Sequence, residues 1–157
     1  MRFSENKKIV PVLLSTDINA GVDCDSINMK SYHHAAFVVL FGADLSGDAV
    51  LTLYSGATDG EKTSALTFSY RYGGAAVGSA NCDVLSDEAT SEALTCTGTT
   101  FVSRMLIIEI DASSMDTANN EEWLTLSISD AAAAGYCYVV AFLDPRYASS
   151  AGNSALT

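Results

Sequence analysis

Basic residues are scarce in this chain. Eight Lys and Arg stand against nineteen Asp and Glu, for a formal charge of −11. Nucleic-acid recognition by a basic patch is excluded, because neutralising phosphates needs clustered Lys and Arg. Histidine is scarcer still, and His33 and His34 are adjacent. Neighbouring strand residues point to opposite faces, so the pair cannot easily share one metal ion. Cys24, Cys82, Cys96 and Cys137 never come in C-x-x-C spacing, which argues against zinc and redox motifs. Cys96 and Cys137 lie in strand-like runs and read as small buried hydrophobes. Free thiols are expected, with a Cys82–Cys96 disulfide as the alternative. There is no G-x-S-x-G nucleophile turn. Gly73-Gly74 is no phosphate cradle, lacking the Lys and helix that would follow. Asp23, Asp25, Asp44, Asp48 and Asp59 sit in or near turns, where calcium loops draw ligands but where Asp is common anyway. None of them matches an EF-hand. Glu109, inside a core strand, reads as a carboxylate on the wet face.

Long apolar runs are missing too. The longest uncharged one, Ala131 to Leu143, falls short of the roughly 20 residues of a membrane span. Arg2, Lys7 and Lys8 before Ile9 to Leu14 imitate a secretion signal, but the run is short and holds Pro11. These absences predict a non-enzymatic, soluble protein made in a cytoplasm, with no cofactor, no metal, no nucleic acid and no membrane.

What is present is alternation. Leu124-Thr125-Leu126-Ser127-Ile128-Ser129 places apolar residues on one side and hydroxyls on the other, and Leu66-Thr67-Phe68-Ser69-Tyr70 repeats the pattern. A period of two means strands with one buried and one wet face. Ala35 to Phe41 is a continuous apolar run and predicts a strand buried on both faces. Phe101 to Asp111 and Gly135 to Leu143 add further core strands, Val50 to Ser55 a hairpin partner, and Ser86 to Ala93 a possible helical turn. About eight strands with little helix predict an all-β, single-domain antiparallel sandwich or jelly-roll-like barrel. Its expected core is Phe37, Val39, Leu51, Leu53, Leu66, Phe68, Leu106, Ile108, Leu124, Leu126, Val140 and Phe142.

The 157 residues suit one domain of the usual size of about 100–200. Residues 1–10 read as an extended N-terminal arm, 11–147 as the β domain and 148–157 as a flexible C-terminal tail. Pro11 marks an edge strand or an arm lying on a surface. The arm gathers Arg2, Phe3, Lys7 and Lys8 on an otherwise acidic chain. With Arg146 and Tyr147 near the other end, these are the candidate partner-binding residues. The seven tyrosines could form a sugar platform, but alternation places most of them half-buried in strands.

One stretch carries a family likeness. Val22-Asp23, Ile27-Asn28-Met29-Lys30-Ser31-Tyr32, the run Ala35 to Gly42 and the hairpin through Leu51-Thr52-Leu53 resemble small structural proteins of tailed bacteriophages. The ending Val139 to Tyr147 is similar to their last strand and exit. The resemblance covers about half the chain. It implies a capsid decoration (cement) protein that binds the major capsid protein, forms a homotrimer on the virion surface and grips the shell with extended termini. A tail or head–tail connector protein would carry a similar texture. The alternative from another class is an extracellular carbohydrate-binding or adhesin-like β module. Residues 75–98 match nothing in the likeness.

Overall fold

The computed structural model describes residues 2–129, 135–147 and 153–156. A helical turn, α1 (Phe3–Asn6), leads into β1 (Lys8–Asp17), β2 (Val22–Asp23), β3 (Ile27–Asn28), β4 (Tyr32–Phe41) and β5 (Ala49–Gly56). There follow β6 (Ser64–Leu66), β7 (Phe68–Tyr72), β8 (Ala89–Ser91), β9 (Ala93–Cys96), the turn α2 (Gly98–Phe101), β10 (Met105–Asp111), β11 (Trp123–Ile128) and β12 (Tyr136–Pro145).

The strands form two antiparallel sheets. The first has the order β1-β12-β4-β10-β7-β8, and the second β2-β11-β5-β6, with β3 on β11 and β9 on β5. The chain crosses repeatedly between the sheets, with β2–β3, β5–β6 and β7–β8 each staying within one, and the last strand returns between the first and the fourth. This is jelly-roll order, extended by β7 and β8 at one edge of the first sheet. The inner faces meet over Phe37, Val39, Leu106 and Ile108 from one side and Leu51, Leu53, Leu124 and Leu126 from the other, all fully buried. Burying each such side chain is worth about 1.5–3 kcal/mol.

Ten of the twelve expected core residues lie in the core; Val140 and Phe142 do not. They are half-buried and face outward, while Cys137, Val139, Ala141 and Leu143 fill the core in their place. Both alternating sets of β12 are apolar, so period two cannot choose a face there. Ala35 to Phe41 is likewise not buried on both sides. Ala35, Phe37, Val39 and Phe41 point inward, but Leu40 on the outer side is 41% exposed.

Three further expectations change. Residues 8–10 of the expected arm belong to β1, which pairs with β12 through Pro11 opposite Val140. β1 is an edge strand, a place where proline is tolerated because a strand edge can leave its missing N–H without a partner. Of the expected tail, residues 148–152 and 157 lie outside the described residues. The rest is docked: Ala155 is buried and its carbonyl accepts from Asn28 N at 2.9 Å. Finally, Ser86 to Ala93 does not form a helical turn. β8 pairs with β7 there, and the Ser86 hydroxyl caps the ladder by accepting from Tyr72 N at 3.1 Å.

All four cysteines carry free thiols. Burial pushes the Cys24 and Cys96 thiols far up, and Cys137 up to about 12. Among the described residues no helix is long and apolar enough to cross a membrane.

Candidate functional site

The two sheets present opposite outer faces. On the second, Asp23, Ser127 and Thr52 stand abreast, then Thr125 and Tyr54. This face is polar and partly roofed. The turn after β5 brings Gly60, with its left-handed φ of 78°, over the sheet, and Gly60 N donates to Ser26 Oγ at 3.0 Å. Ser26 in turn shares a 2.6 Å hydrogen bond with Thr125, which is why that expected wet-face residue is buried. Lys62 reaches over Tyr54 to pair with Asp23 at 2.7 Å. Partial burial pushes the Asp23 carboxyl up, but hydrogen bonds from Lys62 and Ser127 outweigh it and hold it below its usual value.

The outer face of the first sheet is apolar only over its middle. Register places Pro11, Val140, Val38 and Ile107 in one row across β1, β12, β4 and β10. Tyr138, Leu40 and Met105 form the next row. Neither row contains a charge within these four strands; Pro11, Leu40 and Tyr138 are exposed and the other members half-buried. Tyr138 is 49% exposed. The sequence carried a signal for this face. β4 and β12 are apolar at both parities over Ala35–Phe41 and Cys137–Leu143, and β10 over Met105–Ile108, whereas β5 and β11 alternate with Ser and Thr.

On the other side of the Pro11 row, Ile9, Phe142, Ala36 and Glu109 stand abreast, and beyond them come Asp144, His34 and Asp111. Lys7 Nζ pairs with Asp144. His34 lies between two carboxylates, with Nδ1 3.5 Å from Asp144 and Nε2 3.7 Å from Glu109. A shallow hollow of about 270 Å³ opens beside it, lined by Ser69, Glu88, Thr90, Glu109 and Asp111 among others. Its hydroxyl and acid groups bind each other: Ser69 Oγ donates to Glu88 at 3.4 Å, and Arg71 pairs with Glu88 at 3.4 Å. Both neighbours of the His34 imidazole at these distances are carboxylates.

His33 is exposed and out of phase with His34, as the strand period requires. The turn aspartates serve the fold: Asp44 accepts from Tyr136 N and Asp48 from Gly98 N. Among the described residues no group of three or more His, Cys, Asp or Glu is placed to hold a metal ion.

The candidate residues from the two ends of the chain gather at one corner. β1 and β12 are antiparallel, so the start of one and the exit of the other lie at the same end of the sheet. Phe3 packs edge-on against Phe142 with ring centroids 5.7 Å apart, yet stays 57% exposed. Tyr147 is 71% exposed. The charges are more committed. Lys7 is held by Asp144, Lys8 is half-buried, and Arg146 is anchored by Nε donating to the Tyr32 carbonyl at 2.9 Å. Arg2 is exposed. No family model, no curated protein and no solved structure matches this chain.

Proposed function

We propose that this chain is a non-enzymatic virion structural protein that decorates the outer surface of a tailed-phage capsid. The observation that carries the reading is the corner where both ends of the fold converge. Two aromatic side chains, Phe3 and Tyr147, stand in solvent beside Arg2 and the anchored Arg146. Exposed ion pairs are worth only about 0–1 kcal/mol each. The aromatic rings are the stronger anchors, since burying them at an interface gains area at little entropic cost. The jelly roll hosts viral capsid and lectin domains alike, so the fold is compatible with the reading without assigning it. Decoration would act by linkage: a ligand that binds only the assembled shell stabilises it by about 2.7 kcal/mol at a hundred times its Kd.

The test is co-sedimentation with undecorated capsids, followed by capsid melting. Intact protein should pellet with the shells and raise their melting temperature. Deleting residues 2–8, or combining Phe3→Ala with Tyr147→Ala, should lower occupancy at least tenfold. Unchanged occupancy in both variants would remove the corner from the mechanism. Failure of the intact protein to bind any capsid would overturn the reading. It would favour a carbohydrate-binding module, for which Tyr136 and Tyr138, both exposed and two residues apart on β12, offer a stacking surface.

A further inference from the structure

The charged groups where the first and last strands meet form a chain rather than isolated pairs. Lys8 stands opposite Leu143, so Lys7 meets Asp144 at the next step, and its Nζ contacts Oδ1. The other oxygen, Oδ2, faces His34 Nδ1 at 3.5 Å, and His34 Nε2 faces Glu109 Oε1 at 3.7 Å. Asp144 and His34 stand abreast on β12 and β4, and Glu109 lies diagonally across on β10. The Asp144 and His34 side chains are each only 26% exposed. Phe142, two residues before Asp144 on the same face, carries Phe3 edge-on and gives the pair an apolar wall.

This arrangement puts a nucleophile on one side of a carboxyl carbon and a proton carrier on the other. An amine attacks once it has lost a proton, and a carboxyl group becomes an amide once one of its oxygens can leave as water. Two groups held in contact act at effective concentrations of up to about 10⁵–10⁸ M, which favours a condensation that free amines and carboxylates do not undergo in water. The Lys7 ammonium passes one proton to the carboxylate, and the Nζ lone pair attacks Cγ to form the Nζ–Cγ bond. The second proton shed by the nitrogen replaces the one that His34 Nδ1 delivers to Oδ2 as the Cγ–Oδ2 bond breaks. One water leaves, an amide remains, and nothing is oxidised or reduced. Glu109 faces the other imidazole nitrogen and holds the ring in place while it carries the proton.

We propose that Lys7 and Asp144 condense into an intramolecular isopeptide bond, with His34 as the proton carrier and Glu109 as its positioning residue. The bond ties the first strand to the last across 137 positions. β1 is an edge strand whose ladder runs along β12, and chain ends are where local opening begins. A covalent tie at the root of the arm closes that route. A cross-link over so long a loop also restricts the unfolded chain. The inference does not depend on a capsid or on what the exposed Phe3–Tyr147 corner binds.

The experiment is the intact mass of the full chain under denaturing conditions, with proteolytic mapping. The chain is expected to be lighter than its sequence by one water, located in a peptide that joins Lys7 to Asp144. Lys7→Arg, which keeps the charge pair, and Asp144→Ala should both have the full sequence mass, and Lys7→Arg should melt below the parent. His34→Gln should slow the loss of water from freshly made protein by about a hundredfold or more, and Glu109→Gln should shift the pH dependence of that rate. A parent chain still at full sequence mass after prolonged incubation overturns the proposal. So does a lost water that persists in Lys7→Arg, which a succinimide at Asp59-Gly60 would give. Condensation of His34→Gln at the parent's rate overturns the assigned mechanism. Shell binding is scored separately on the same samples: a cross-linked chain that binds no capsid refutes only the decoration reading, and a capsid-bound chain of full mass refutes only the bond.

Discussion

Glu121 is the most consequential polar group in the core. β5 points Leu51, Leu53 and then Ser55 inward, and Ser55 is fully buried. Its hydroxyl donates to Glu121 Oε2, while Ser64 of β6 donates to Oε1 at 3.1 Å. Glu121, only 3% exposed, thereby ties β5 and β6 to the entry of β11. Replacing it with alanine strands the Ser55 hydroxyl, at about 1–3 kcal/mol for a buried group left without a partner. It also leaves a void, so about 2–4 kcal/mol in total is expected. Ser55→Ala removes the same hydrogen bond from the other side and leaves Glu121 Oε2 without it, which should cost about 1–3 kcal/mol. Ser64 is only half-buried, water can replace it, and Ser64→Ala should cost about 0.5 kcal/mol. Urea unfolding followed by the fluorescence of Trp123, the single tryptophan, reads these directly. With a slope near 2 kcal/mol/M, Glu121→Ala should lower the midpoint by about 1–2 M. The double variant Ser55→Ala/Glu121→Ala should lose less than the sum of the singles, because the shared bond is lost only once. Stability of Glu121→Ala within about 0.5 kcal/mol of the parent, or strict additivity in the double variant, would refute the reasoning.

The remaining predictions concern the turn, the thiols and acid stability. A Cβ on Gly56 would lie 2.3 Å from the Glu61 carbonyl oxygen, so Gly56→Ala should destabilise by about 1–3 kcal/mol through backbone displacement; a melting temperature equal to the parent's would contradict the packing. Gly60 has open space around it but φ of +78°, so Gly60→Ala should cost only about 1–2 kcal/mol on the same assay. In native protein a thiol reagent should titrate Cys82 alone rapidly, because Cys24, Cys96 and Cys137 are buried and their thiols are pushed up; two or more fast equivalents would count against this core. The folded Asp23 carboxyl titrates below its ordinary value of 3.8. Its stabilising contribution is present above that value and is lost as pH falls through the lower folded one. Asp23→Asn should therefore flatten the fall in melting temperature below about pH 4, and an unchanged acid limb would dismiss the Lys62–Asp23 pair as a contributor.

The all-β architecture was legible in the chain because side-chain parity is a local property. Leu124, Leu126, Leu51 and Leu53 lie in the core where a period of two places them. The same logic gave out on β12. Tyr138, Val140 and Phe142 are as apolar as Cys137, Val139 and Ala141, and parity cannot rank two apolar sets. Only the stacking of the second sheet against one side of the first decides which set is core and which is left outside. The apolar outer face is therefore a product of tertiary packing. So is the corner that carries the proposed function. Arg2, Phe3 and Lys7 were visible as a basic, aromatic arm, and Arg146 and Tyr147 as an isolated pair far along the chain. What joins them is the antiparallel pairing of the first and last strands, which brings Lys7 to Asp144 across 137 positions. Composition and periodicity act over a few residues. Strand order, which sets the neighbours of a residue across a sheet, is chosen by the global packing of two faces against each other.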